Sequence, residues 1–253
     1  MKNKTDIIWL DEVDSTNNEA KRRLPDVDNL SVVSAKSQTS GRGQRGNTWS
    51  SDPGMNLTFS IVLKYDMMEN FRIQAYDQFS ISQLTSLAVV AFLSKRGISA
   101  MIKWPNDIYV GNRKICGILI ENSVRGIYLS SSIIGIGLNI NQRNFNVTQI
   151  IPTSTAIETD KDEDIHASLE EFMDIFKSYM RRYLHINGGL GKLRKMYLSM
   201  MWRKDQMRTY KDLVTGTEFI GIIRGVSDLG HLQIETEKGE LLEFAFKEIG
   251  YVL

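Results

Sequence analysis

One cysteine, Cys116, stands in 253 residues. That excludes an intramolecular disulfide framework and suits a reducing compartment. Net charge is nearly absent as well: 31 Lys and Arg against 30 Asp and Glu leave +1. There is accordingly no bulk field to draw nucleic acid or an anionic membrane surface. Nor does any apolar run approach the roughly 18–20 residues that a membrane span needs. The opening "MKNKTDIIWLDEVDST" has only a short apolar run before acids intervene, which is neither a secretory signal nor a span. Together these absences predict a soluble cytoplasmic protein with no nucleic-acid or membrane partner. What the sequence does have is core. A 42% hydrophobic content over this length can fill one large domain plus a small one.

The pattern along the chain predicts an α+β fold. "IIWL" (7–10) reads as a strand, and "STNNEAKRRL" (15–24) as a helix opened by hydroxyl and amide residues suited to capping. "SVVSAKS" (31–37) reads as a buried strand. "MNLTFSIVL" (55–63) alternates, with Met55, Leu57, Phe59, Ile61 and Leu63 on one face and Asn56, Thr58 and Ser60 on the other. A helix is expected over about 72–96, with Leu84, Leu87, Ala88 and Ala91 as its stripe and Gly97 as its stop. Strands follow at 100–104, 107–110, 114–122 and 126–140, with Gly111-Asn112 as a hairpin turn. The stripe from Leu169 to Leu184, rich in aromatics and methionine, is core packing of a second helix. Beyond Trp202, "TEFIGIIRGV", "GHLQIET" and "ELLEFAF" are short alternating strands joined by glycine turns, which fit a small barrel. The expected domains are 1–203 and 204–253.

Three stretches carry chemistry. "TSGRGQRGNTWSS" (39–51) combines glycines that let backbone N–H groups approach an anion with arginines that offer forked donors. Its glycine spacing matches neither a P-loop nor a dinucleotide fingerprint. Trp49 offers a stacking face for a purine, while the bland alternative is a solvated surface loop. In "KWPNDIYVGNRKICGILIEN" (103–122), Pro105 presents Asn106 and Asp107 at a strand end. Their oxygens suit a magnesium–phosphate group; a satisfied Asx turn is the alternative. Strict alternation puts Lys114 on one face with Cys116 and Ile118. There the lysine either meets an anion or guards a strand edge. In "GIGLNIN" (135–141), Gly135 and Gly137 leave room for a ligand, and Asn139 can pair donor and acceptor with an adenine edge.

"DSTNNEA", "QTSGRGQRGNTWSS", "KWPNDIYV", "RKICGILIEN" and "GIGLNIN" occur in the order and approximate spacing of the catalytic domain of biotin protein ligases. "FIGIIRGVSDLGHLQIET" through "FKEIGYV" resembles the SH3-like barrel that ends those enzymes. The resemblance thus spans almost the whole chain. It implies a mixed-sheet catalytic domain that uses ATP and Mg²⁺ to turn biotin into biotinyl-5′-AMP. The biotin then passes to a lysine of a biotin carboxyl carrier domain. By matching positions it assigns Ser15, Thr16 and Gln38 to the ureido ring, with Asn17, Gly41 and Gly43 also on biotin and Gly117 adding a backbone contact. Arg42 would lie over the carboxylate, and Lys114 would bridge carboxylate and α-phosphate. Arg45, Trp49, Asn106 and Asn139 fall to ATP, with Trp49 covering the adenine or the biotin tail and Asn106 nearest the metal, and Asp107 falls near the incoming amine. Lys114, Arg42 and Asp107 form the expected catalytic set. Homodimerisation through the sheet also occurs in the family.

The sequence departs from the pattern at Gln44 and Asn47, where many relatives carry arginine, so a looser hold on the adenylate is expected. "DEVDSTN" begins at residue 11, so an enzyme without the winged helix that some members place ahead of it is expected. Lipoate ligases and octanoyltransferases share the fold and supply the rival reading, the transferases through a cysteine nucleophile. Cys116 sits at a small-residue position with no evident partner among His166, His185 and His231, which favours packing.

Overall fold

The computed structural model describes residues 5–68, 72–145, 150–186 and 188–252, with the Arg45 side chain outside that set. Its first half runs β1 (Ile7–Val13), α1 (Thr16–Arg23), β2 (Val32–Gln38), β3 (Leu57–Lys64), α2 (Phe79–Ser94), β4 (Ala100–Lys103), β5 (Asp107–Val110), β6 (Arg113–Arg125) and β7 (Tyr128–Leu138). The second half runs α3 (Thr155–Thr159), α4 (Ile165–Tyr183), α5 (Gly189–Ser199), β8 (Met207–Asp212), β9 (Glu218–Val226), β10 (Leu232–Thr236), β11 (Leu241–Phe244) and β12 (Ile249–Tyr251). Strands β1–β7 form one mixed sheet in the order β1-β2-β3-β7-β6-β5-β4. Only β1 and β2 within it are parallel. A separate antiparallel sheet orders β11-β10-β9-β8-β12. Among the described residues no helix is long and apolar enough to cross a membrane.

Alternation in β3 decides what lies on each side of the large sheet. Phe59, Ile61 and Leu63 join the main core with α2 and α4 residues such as Leu84, Phe92, Phe172 and Phe176. The other face does not meet water, although its Asn56, Thr58 and Ser60 are polar: all three are buried. Val62, with Val33 and Ile133, packs under Ala20 of α1. Further along the same strand face Thr58 lines a cleft, and Ser60 lies buried beneath Thr16 and Asn17 of α1. Internal hydrogen bonds offset that burial: Asn56 Nδ2 donates to Gln142 Oε1 at 2.6 Å, and Ser60 Oγ donates to Asn17 Oδ1 at 2.6 Å.

The helix expected from 72 begins at Phe79 instead. Before it, the Ala75 N–H donates to Ile127 O and the Leu129 N–H to Ile73 O, so residues 73–75 pair with the β6–β7 hairpin and only a single 3-10 turn, Ala75–Asp77, precedes the helix. Gly97 does end the segment, in the left-handed region at φ 74°. Helices α3 and α5 and strands β8 and β12 escaped the sequence pattern. In β8 the alternation is blurred by exposed Met207, Arg208 and Lys211.

The small sheet docks on the end of the large one that carries β4 and β5. Trp104 Nε1 donates to Gly230 O at 2.9 Å, and the Trp104 and Phe246 rings lie 5.2 Å apart. Trp202 packs between Tyr109 and Tyr251. One continuous core therefore runs through both sheets, and the second sheet stands fixed beside Pro105, Asn106 and Asp107.

Candidate active site

Two rungs of the large sheet floor the cleft. Asp107, Gly117, Gly137 and Thr58 align across β5, β6, β7 and β3; Leu119, Gly135 and Ser60 form the next rung. Side chains are small or absent at the centre, so the floor is mostly backbone. The cavity above it has a volume of about 270 Å³. Helix α1 and Gln38 wall one end, while Trp104, Pro105 and the small sheet's Ile249 and Tyr251 wall the other.

At the α1 end, Ser15 takes the N-cap position but makes no side-chain cap bond. It is buried, like Thr16 and Asn17, and lines the cavity. The expected capping role is thus not what its hydroxyl does. Gln38 Oε1 accepts from the Thr16 N–H at 2.7 Å. Ser60 Oγ donates to Asn17 Oδ1 at 2.6 Å and lies 2.9 Å from Thr16 Oγ1, whose hydroxyl can donate to it. Fixed hydroxyls, amides and a helix N-terminus in one slot make a rigid array for a neutral polar ring.

At the other end Lys114 Nζ lies 2.6 Å from Asp107 Oδ1, each side chain only 21% exposed. The backbone of Lys114 is held from the other direction, its N–H donating to Ile151 O and its carbonyl accepting from Thr153 N–H. Strand β6 is internal to the sheet, so Lys114 does not guard an edge. Strict alternation fails here. The β5–β6 register shifts between Tyr109, opposite Lys114, and Ile108, opposite Cys116. The bulge puts Lys114 on the cleft side with Gly117, whose Cβ, if present, would stand 3.4 Å from Lys114 Nζ. Cys116 turns into the core, fully buried. Burial pushes its thiol far above the ordinary value. Nearby, Lys103 sits among the Tyr109, Trp202 and Tyr251 rings, and burial lowers its ammonium pKa.

Asn106 forms no Asx turn. Its Nδ2 donates to Ile118 O, and its own carbonyl accepts from Ile118 N–H at 3.0 Å, which locks the Pro105–Asp107 bend onto β6. Asn139 is 3% exposed and lies outside the cavity lining. Its Nδ2 donates to Thr153 O at 2.9 Å, while its Oδ1 has no partner among the described residues.

The glycine loop is a small hairpin. Arg42 pairs with Thr48, Gly43 N–H donates to Asn47 O, and Trp49 N–H donates to Gly41 O. Gly41 lies beneath the Trp49 carbonyl, where no Cβ would fit. The Trp49 indole rests on the floor glycines: a Cβ at Gly137 would stand 2.6 Å from Cζ2, and one at Gly117 3.2 Å from Cζ3. Lys114 Nζ is 5.9 Å from the indole centroid. Arg42 does not reach into the cavity alone but pairs with Glu121 at 3.2 Å.

Ser15, Thr16, Asn17, Gln38, Arg42, Gly43, Trp49, Asn106, Asp107, Lys114 and Gly117 thus converge on one cleft; the expectation for the Arg45 side chain lies outside the described residues. Sequence reasoning missed Thr58 and Ser60, whose alternation was plain but read without a partner. It also missed Glu121, the small sheet's Ile249 and Tyr251, and Leu213 and Lys247 in the segments between its strands, which reach the site only through tertiary packing.

The site is a sheet-floored cleft with a neutral polar slot at one end, a cation–carboxylate pair at the other and an indole over its glycines. Comparison with known proteins identifies the family. Residues 9–139, just over half the chain, match the model of the Biotin/lipoate A/B protein ligase family. The chain belongs to that family. It is similar to the bifunctional ligase/repressor BirA of Bacillus spizizenii, 31% identical over 216 residues covering 82% of this chain and 62% of the relative. It thus spans less than two thirds of that relative's length. The biotin–[acetyl-CoA-carboxylase] ligase of Paracoccus denitrificans is 28% identical, covering 91% of this chain and 94% of the relative. Among solved structures, biotin protein ligase from Aquifex aeolicus in complex with biotin and ATP superposes with a TM-score of 0.78 at 27% identity, covering 97% of each chain.

Proposed function

We propose that the protein is an ATP-dependent biotin–protein ligase. It activates biotin as biotinyl-5′-AMP and transfers it to a lysine of a biotin carboxyl carrier domain. The observation that carries this reading is the Lys114–Asp107 pair beside the Trp49 cover, at the opposite end of the cleft from the α1 slot. In the first step a biotin carboxylate oxygen attacks the α-phosphorus of ATP. The bond to the β-phosphate oxygen breaks and pyrophosphate leaves. Two anions must meet, and Lys114 neutralises charge at their junction. The slot of Ser15, Thr16, Asn17 and Gln38 takes the neutral ureido end and fixes the carboxylate toward Lys114. Trp49 covers the reacting groups and keeps water from the anhydride. The Asn139 amide oxygen suits the adenine amino group as an acceptor. In the second step the carrier's amine attacks the carbonyl carbon, the carbon–oxygen bond to phosphate breaks, and AMP leaves. Asp107 takes the amine proton.

A Mg²⁺ ion carried in with ATP would lower the charge of its phosphates. Among the described residues no group of three or more His, Cys, Asp or Glu side chains could hold a metal independently. The Asn106 oxygen and Asp107 are the protein atoms suited to meet it.

The test is biotin-dependent exchange of labelled pyrophosphate into ATP, with lipoate and octanoate as competing acids. Exchange with biotin and not with the others is expected; exchange driven by lipoate would replace this reading. A thioester route through Cys116 is disfavoured by its burial. Cys116→Ala is expected to keep full activity at a stability cost on the order of 1 kcal/mol, and an acyl-enzyme trapped on that sulfur would reverse the assignment. Gln44 and Asn47 also line the cavity without adding charge. Gln44→Arg is expected to slow biotinyl-AMP release several-fold, and equal dissociation rates would remove that role.

A further inference from the structure

Glu121 belongs to no part of the chemistry derived above, yet it connects three elements around the cleft. It follows Gly117 and Leu119 at two-residue spacing along β6, on the cleft face of the strand. Its carboxylate accepts from Asn17 Nδ2 of α1 at 2.9 Å. It also accepts from Arg42 of the 41–49 hairpin, at 3.3 Å from one terminal nitrogen and 3.2 Å from the other. The first of those nitrogens donates as well to Asn18 Oδ1 of α1 at 2.8 Å. The hairpin is thus held by Arg42 on β6 and α1, and by Trp49 on the glycine floor. With its guanidinium spread over Glu121 and Asn18, Arg42 serves less as a bare charge for the ligand than as the peg of the cover.

We infer that Glu121 is a positioning residue: its carboxylate clasps Arg42 and so keeps the 41–49 hairpin closed over the bound acyl-adenylate. The inference rests on the ligase reading. A forked guanidinium on a carboxylate is the strong form of a charge-assisted pair, but here Arg42 is 43% exposed and Glu121 31% exposed. Solvent weakens such a pair enough for it to open and reclose. A cover that must admit a carrier lysine after each activation needs that balance. Asn17 closes the loop of contacts, because the same amide that Glu121 holds presents Oδ1 to Ser60 within the polar slot. Filling the slot and closing the hairpin therefore bear on one carboxylate.

Two measurements test this. The first is hydrogen exchange of the 41–49 amides in the protein without ligand, for wild type and Glu121→Gln. The second is the dissociation rate of biotinyl-AMP for wild type, Glu121→Gln, Arg42→Ala and the double variant. Glu121→Gln is expected to speed both amide exchange and dissociation by about three- to tenfold. It should add nothing in the Arg42→Ala background, since the carboxylate acts through that arginine. Unchanged amide exchange, or an effect of Glu121→Gln that persists in full without Arg42, overturns the clasp. Absence of biotin-dependent pyrophosphate exchange in the wild type would strike the ligase reading alone, and the amide-exchange arm would still judge the clasp.

Discussion

Lys114→Ala is expected to slow formation of biotinyl-AMP by about tenfold to a hundredfold or more, with little change in thermal stability. A hydrogen bond to a charged group is worth about 1.5–3 kcal/mol, and each 1.36 kcal/mol is a factor of ten in rate. The loss should exceed the lower figure because Asp107 remains. With its partner 2.6 Å away removed, a carboxylate only 21% exposed adds a third negative group where two acids already repel. The double variant Lys114→Ala, Asp107→Asn should therefore form adenylate faster than Lys114→Ala alone, although its transfer step suffers. Stability is protected because residue 114 is fixed through its backbone bonds to Ile151 and Thr153, not through the ammonium. Single-turnover formation of adenylate, followed beside a melting curve, makes the measurement. An undiminished rate in the folded variant would remove Lys114 from the chemistry.

The same position shows what the sequence could and could not disclose. Local periodicity located most elements well: β3 from its alternation, α4 from its stripe, the β5–β6 hairpin from Gly111-Asn112. It also found Lys114 but gave it the wrong neighbours, since alternation cannot see a bulge, which depends on how two strands pair. Helix α2 was misplaced at its start because pairing of residues 73–75 with the β6–β7 hairpin outcompeted helix propensity. Glu121 and Tyr251 were invisible for a further reason. Both lie within stretches that carry the family resemblance, but nothing in the local pattern singles either one out, and each meets the cleft only across an interface between distant segments. Motif residues that touch ligand cluster in short stretches; residues that hold those stretches in place are scattered.

Gly137→Ala should cost nucleotide affinity and adenylate retention by about five- to a hundredfold, again without unfolding the protein. The added methyl would overlap the Trp49 indole, since the Cβ site lies only 2.6 Å from both Cζ2 and Nε1. The β7 backbone cannot yield: residue 137 is paired to Gly117 on one side and Thr58 on the other. The indole must therefore lift, and with it the hairpin that carries Arg42. An aromatic stack on a base is worth about 1–3 kcal/mol, which sets the expected range. Gly117→Ala supplies the internal comparison. There the Cβ site stands 3.2 Å from the indole edge, a contact that a small tilt relieves, so its effect should be several-fold smaller. The two variants differ by which floor glycine gains a methyl. If they prove equal in the KM for ATP and in biotinyl-AMP dissociation, the indole is not the cover of the site, and the 41–49 hairpin must act through Arg42 alone.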